Sequence, residues 1–449
     1  MLTTLKNAFK VKELRNRVLF VLGMLIVIRI GSQLPVPGVD GEVFRNWYNQ
    51  TVADAAGSFS FFDAITGGSF ERMAVLALGI NPYITSSIIM QLMTIAIPKL
   101  EEMQNDGEDG RKKIASITRY VTVILALIQS TAMVIGFGVS NVLTAKSGEP
   151  GYIFTIILAI AGLTAGSAFL MWIGERITEK GIGNGISVVL VINIVSRMPS
   201  DVTSLFQQFV LQEGIAPAMA VLAAVIIIGV IVGMVILVVL LNDATRKIPV
   251  QYAKKMQGRK MVGGQTSNIP LRVNTAGVIP VIFASSILQL PLLICTFLKV
   301  APTKGVGGFI YNCMKSDNWC NFDVGVQYSL GLLVYILLIV FFAYFYTSIT
   351  FNPMMIADNM KKQGGFIPGI RPGKPTSDYL NKVLNYIIFI GAVGLTIVSV
   401  IPYVFNGIFH AKVSFGGTSL IIVVSVVLET LKQAESMMLV RNYKGFLQD

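Results

Sequence analysis

Apolar residues along this chain fall into ten blocks, near residues 17–36, 74–98, 114–138, 152–174, 182–200, 216–241, 276–298, 328–350, 383–404 and 417–434. Each is long enough to cross about 30 Å of hydrocarbon as a helix, and polar residues concentrate between them. The pattern predicts an all-α membrane protein with ten transmembrane helices. Each half of the chain holds five spans, and because five is odd the second half must enter the membrane in the opposite sense. The expected organisation is two inverted five-helix halves, 1–215 and 216–449.

Short motifs recur at corresponding places in the halves. GINPYITSSII, from Gly79 to Ile89, and GVIPVIFASSI, from Gly277 to Ile287, share a GxxPxI opening and an SSI close. GIGNGISVVL, from Gly181, and FGGTSLIIVV, from Phe415, both set a glycine two positions before a serine at the head of a short apolar run. Pro82 and Pro280 are each expected to break a helix near the membrane midplane, turning Thr85, Ser86, Ser87, Ser285 and Ser286 toward the protein interior. Interrupted helices need protein or a wet cavity around their backbone groups, so spans two, five, seven and ten belong inside. Ile80, Ile84 and Ile88 fall four apart on one helical face, with Ile186, Leu190, Ile282 and Ile422 at comparable depths on the other inner spans. A ring of such side chains would exclude water and ions without selecting a solute. Taken alone, the same positions are better read as ordinary helix packing.

Composition agrees with a membrane protein: 53% of the 449 residues are hydrophobic, 13% are charged, and mean hydropathy is +0.68. The net charge of +12 matters through its placement. With a cytoplasmic N-terminus, most Lys and Arg fall in the segments that ten spans leave on that side, so both termini are expected to be cytoplasmic. Lys6, Lys10, Lys12, Arg15 and Arg17 look like the start of a signal peptide, but no small-residue cleavage site follows and Arg29 interrupts the run, which predicts a retained span.

Candidate chemistry is sparse. The chain has no HExxH, GxSxG or P-loop, no intramembrane aspartate pair, and no cysteines at metal-ligand spacing. It is expected to be no enzyme and to need no cofactor, with energy for transport supplied by a partner or a gradient. The inner spans read as almost free of ionisable residues: every Asp falls in a loop or at a segment edge, His410 lies in an external loop, and Glu175 and Glu429 sit near cytoplasmic ends as snorkelling or paired groups. A coupled small-solute secondary transporter, the rival reading, would need a polar midplane site. Cys295 reads as a buried apolar filler, and the spacing of Cys313 and Cys320 in an external loop permits a disulfide without requiring one.

Two cytoplasmic loops exceed what a helix turn requires. One, 242–272, carries Arg246, Lys247, Lys254, Lys255, Arg259 and Lys260; the other, 351–382, carries Lys361, Lys362, Arg371 and Lys374, with Arg371 set in PGIRPG between Pro-Gly pairs. Both suit an acidic protein or RNA phosphates. The external segment SFSFFDAITGGSFERM, from Ser58 to Met73, is too short and polar to span. It fits an interfacial helix or a segment that re-enters the membrane inside the protein.

GINPYITSSII, TEKGIGNGIS, NTAGVIPVIFASS, FNPMMIADNMKKQGGFIPGIRPG and FGGTSLIIVV, in this order from residue 79 to 424, resemble the bacterial SecY family, the central subunit of the protein-conducting channel. The resemblance implies two inverted halves around a central pore that opens sideways to lipid between spans two and three on one side and seven and eight on the other. It implies a pore ring of Ile80, Ile84, Ile186, Leu190, Ile282 and Ile422, with Leu190 in place of the usual isoleucine. The Ser58–Met73 segment matches that family's re-entrant plug helix, with Phe61, Phe62, Ile65, Gly67, Gly68 and Arg72. Ile88, Gln91, Gln129, Asn274 and Ser286 match the lateral gate. Arg246, Lys247, Lys254, Arg259 and Arg371 match the contacts for a SecA-type motor ATPase or the translating ribosome and its RNA. SecE-type and SecG-type membrane subunits, unfolded preproteins with signal sequences, membrane lipid and a bacterial cytoplasmic-membrane location follow by the same resemblance. The external loop 300–323 departs from the family and carries no assigned role.

Overall fold

A computed structural model describes residues 11–54, 63, 65–139, 142–145, 150–211, 217–252, 255–257, 260–262, 266–297, 305–321, 325–409 and 417–445. A helix occupies each apolar block. In chain order the helices are α1 (Lys12–Gly31), α2 (Gly41–Asp54), α3 (Asn81–Ala96), α4 (Pro98–Asn105), α5 (Gly107–Val139), α6 (Tyr152–Lys180), α7 (Gly185–Phe209), α8 (Pro217–Asp243), α9 (Ile279–Phe297), α10 (Gly305–Met314), α11 (Leu330–Thr350), α12 (Pro353–Lys362), α13 (Lys374–Phe409) and α14 (Gly417–Gly445). Among the described residues, six helices are long and apolar enough to cross a bilayer on those grounds alone, seven if the pair α3 and α4, bent by 107°, is one crossing. Val221, Leu222 and Val225 on α8 and Leu333, Leu337 and Phe341 on α11 are all exposed, an apolar surface that suits lipid and not water. The chain is a multi-pass membrane protein.

The expectation that Pro82 and Pro280 break helices is corrected, because each starts one. Both are the second residue of their helix, α3 and α9. Proline lacks an N–H, and at a helix start that donor has no intrahelical partner, so the position tolerates it while its fixed φ favours the first turn. Residues 74–80 run as turns, so the second apolar block is helical only from Asn81. Gly79 and Gly277 take left-handed φ angles of 61° and 64°, and a helix begins two residues after each. The repeated GxxP phrase therefore builds one device twice, a left-handed corner followed by a proline-primed helix. A side chain at Gly277 would meet no atom within 4 Å, so Gly277→Ala should cost only the backbone strain, about 1–2 kcal/mol, and lower the melting temperature in detergent. Gly277→Asn should lose less, because Asn tolerates that region; equal losses would mean that φ is not what the position selects.

In the first half α3 packs on α5, α5 on α6, α6 on α7, and α1 on α6. In the second, α9 packs on α11, α11 on α13, and α14 on both α8 and α13. The halves meet where α5 touches α9 and where α7 touches α8 and α14.

The two long basic loops form one body. Strand β1 (Thr245–Tyr252) pairs antiparallel with β4 (Thr266–Arg272), and on its other edge with β5 (Gly365–Phe366) from the second loop, through Gln251 with Phe366 and Tyr252 with Gly365. A separate hairpin joins β2 (Lys255–Gln257) and β3 (Lys260–Val262). Ile248 and Val250 alternate inward with Leu271 from the facing strand, and Met360, Ile367, Leu380 and Ile387 close a small core beneath the sheet.

Candidate functional site: an apolar waist and a buried charge cluster

Local structure brings the six aliphatic candidates together. Ile80 caps α3 and Ile84 lies one turn along it. α7 starts abruptly because the Asn184 side chain accepts the Ile186 N–H at 3.1 Å, which sets Ile186 in the first turn and Leu190 one turn later. α9 contributes Ile282 and α14 contributes Ile422. All six belong to one apolar cluster, which also takes in Ile28 of α1 and Leu170, Ile173 and Ile177 of α6; Ile80, Leu190 and Ile422 are buried, and Ile84, Ile186 and Ile282 are half-buried. Ile65, from the segment ahead of α3, is buried in the same cluster. The serine expectations follow: Ser86 is buried and its Oγ donates to the Thr118 carbonyl at 2.8 Å, Ser285 is buried and bonds back to its own helix, and Thr85, Ser87 and Ser286 are half-buried.

Of the candidates for the lateral seam, Ile88 on α3 packs against the cluster that α9 and α11 build around Phe283 and Phe342, so it crosses between halves. Gln91 and Gln129 are half-buried on α3 and α5. Asn274 is tied into the second half: its amide donates to Asn242 Oδ1 at 2.9 Å, and Asn242 donates to Ser425 Oγ at 2.7 Å, joining the approach to α9 with α8 and α14.

The reading of inner spans nearly free of ionisable groups is corrected. Asp63 is fully buried, and its Oδ2 lies 2.5 Å from Arg197 Nη2 of α7; Glu71 Oε2 accepts from Arg197 Nη1 at 2.7 Å. Asp63 Oδ1 also accepts the Glu71 N–H at 3.0 Å, which closes the segment into a loop around its own carboxylate. Arg29 of α1 donates to the Gly67 carbonyl at 3.3 Å, and Arg72 donates to Gln33. Gly67 and Gly68 sit directly on α7: a side chain at Gly67 would fall 2.9 Å from the Asn193 Cα, and one at Gly68 would reach ordinary contact with Arg197. Arg197 lies within the predicted span 182–200, and an arginine there demands a partner; that demand was the signal available in the sequence. Glu175, expected as a paired end group, accepts from Arg119 Nε of α5 at 2.7 Å.

Arg246 and Lys247 stand exposed on β1, and Arg371 is exposed at the loop tip joining β5 to α13. Phe61, Phe62, Lys254 and Arg259 lie outside the described residues, as does His410. Cys295 is half-buried rather than enclosed. Cys313 and Cys320 are free thiols, and burial pushes both up from the ordinary cysteine range.

A multi-pass helical membrane protein in which helices from both ends of the chain meet in one aliphatic cluster suits the class of membrane conduits. Comparison with known proteins is specific: a SecY family model matches residues 74–431, and the chain belongs to the SecY family. It is 43% identical over 463 residues to a protein translocase subunit SecY of Streptomyces scabiei, covering 100% of both chains. Its fold is similar to a solved protein-conducting channel, with TM-score 0.61 at 18% identity over 94% of this chain and 91% of that one. It is also similar to the channel of the canine ribosome-channel complex from the endoplasmic reticulum, with TM-score 0.57 at 17% identity over the same shares.

Proposed function

We infer that this chain is the protein-conducting channel of a Sec translocon in a bacterial cytoplasmic membrane, crossing it ten times with both termini in the cytoplasm. The observation that carries the reading is that Ile80, Ile84, Ile186, Leu190, Ile282 and Ile422 share one apolar cluster, in a member of the SecY family. An unfolded preprotein passes through this waist, whose aliphatic side chains yield to any sequence because they make no specific bond with it. Between transits the same side chains close on one another and keep water and ions out. A coupled carrier would bind its solute at a charged or hydrogen-bonding site at this level; membership of the SecY family and a fold shared with a protein-conducting channel favour the conduit instead.

The remaining roles follow from this reading. The segment ending at Met73 is the plug, held under the waist by Ile65. The halves, 1–215 and 216–449, part where Ile88, Gln91, Gln129, Asn274 and Ser286 line the seam. A signal segment leaving through that seam into lipid stabilises the open state by burying its own apolar surface, about 25 cal/mol per Å². The chain carries no catalytic step, so a SecA-type motor or a translating ribosome drives transport, docked on the sheet platform through Arg246, Lys247 and Arg371. The ribosome-bound state of a protein of similar fold supports the second partner. SecE-type and SecG-type subunits complete the complex.

A secretory chain stalled midway and carrying a photocrosslinker tests the reading. It should crosslink to Ile84, Ile186 and Ile282 and not to lipid-facing Leu222. Crosslinks confined to the outer surface would overturn it.

A further inference from the structure

One face of α7 changes character along its length. Ile186, Leu190 and Ile194 supply apolar surface to the waist, and then Arg197 and Asp201 continue the same face at helical spacing. Arg197 is about 10 Å beyond Leu190 along the helix axis. There its guanidinium meets two carboxylates of the plug segment, Asp63 at 2.5 Å and Glu71 at 2.7 Å. Asp63 has no exposure to solvent, and the side chains of Glu71 and Arg197 are 21% and 25% exposed. In the Gly67–Gly68 turn between them, Gly67 lies so close to the Asn193 backbone that a side chain would not fit, and Gly68 packs at contact distance from Arg197. Arg45 of α2 reaches Glu71 at 3.9 Å, and Arg29 holds the Gly67 carbonyl from α1. The plug segment is thus fastened by charge on three sides, in addition to the contact of Ile65 with the waist.

We propose that Arg197 is a specificity-determining positioning residue, a latch whose two ion pairs to Asp63 and Glu71 hold the plug segment closed and so set how strong a signal sequence must be to open the channel. The inference rests on the plug and waist reading given above. The waist alone is closed only by interdigitated aliphatics, which any apolar segment can displace. The latch adds a term that an apolar segment cannot replace: drawing the plug away from α7 separates charges in a site largely shielded from water, where each pair is strong and each unpaired carboxylate unfavourable. An entering signal must offset that separation with its own differential affinity for the open state, so a weak signal is rejected and a strong one accepted. The proposal also accounts for an arginine in an inner span of a channel whose transport chemistry needs none.

The test uses inner-membrane vesicles in which this chain replaces the resident copy, with Cys295, Cys313 and Cys320 changed to serine and Ile65→Cys added as a reporter of plug position. Arg197→Met should raise resting ion leak, labelling of the reporter by an impermeant thiol reagent, and export of a substrate with a defective signal by about tenfold each, while export with an intact signal stays unchanged. Asp63→Asn combined with Glu71→Gln should do the same, and adding Arg197→Met to that pair should change little further. That non-additivity separates a latch from general loosening, which would add up. Should Arg197→Met fail to accumulate, the carboxylate pair alone decides. Unchanged leak, labelling and signal stringency at normal abundance would overturn the latch. Ile84→Asn serves as the companion: if it leaks while the latch variants do not, only the latch is wrong, and if none leaks, the waist reading falls and takes the latch with it.

Discussion

Ile84→Asn or Ile282→Asn will make the resting channel leak ions and export substrates whose signal sequences are defective. Both residues are packed, half-buried, among the apolar side chains of the proposed waist. An amide placed at such a site without a hydrogen bond costs about 1–3 kcal/mol by protein mutational data. The closed, dry arrangement carries that penalty, and the hydrated or opened one relieves it by admitting water. A shift of 1.4 kcal/mol changes the ratio of closed to open states by about tenfold, so leak and relaxed signal discrimination should both rise by roughly that factor or more. Ile84→Leu, with the same volume and no polar atom, should stay near the parent. Ion flux in vesicles and export of a defective-signal reporter give the two readouts. If both stay at the parent level for both asparagine variants at normal abundance, these isoleucines do not close a pore.

The helices and the clustering of the aliphatic candidates are legible for a physical reason: both are written in residue type and spacing. Each apolar block holds a helix because lipid leaves the backbone no other solution. Ile80 and Ile84, or Ile186 and Leu190, fall four apart on one helix and so must share a face. What the sequence hides is pairing at a distance. Asp63 and Glu71 read as ordinary loop charges, and only the fold brings Arg197 to them across more than a hundred residues. The joining of two loops through β1 and β5 is equally remote, since β5 is two residues long and offers no alternation to detect. The prolines were misplaced for a different reason. A proline inside an apolar run reads as a break when the run is taken as helical throughout, and the left-handed Gly79 and Gly277 that end the preceding turns carry no hydrophobic signal.

Arg371→Glu should lower motor-driven export at least tenfold while leaving the protein folded and at its usual abundance. The loop that presents Arg371 is rigid by construction: Gly369 and Gly373 take left-handed φ angles of 81° and 102°, the Thr376 hydroxyl donates to the Arg371 carbonyl at 2.8 Å, and Ile367 anchors the near end in the core beneath the sheet. The guanidinium is exposed, so reversing its charge disturbs no packing and should change stability by no more than about 0.5 kcal/mol. Docking is another matter, because the β1–β5 pairing joins this loop to the strand that carries exposed Arg246 and Lys247. A partner complementary to it is acidic, and a glutamate placed opposite an acidic group costs several kcal/mol, well beyond a tenfold loss. Because β1 and β5 belong to one sheet, Arg246→Glu should impair the same partner and not a different one. Export rate, together with partner binding measured at two salt concentrations, checks this: the parent should bind more weakly as salt rises, and Arg371→Glu should flatten that dependence. Normal export by Arg371→Glu at wild-type abundance would remove this loop from the docking surface and leave the motor or ribosome to bind elsewhere.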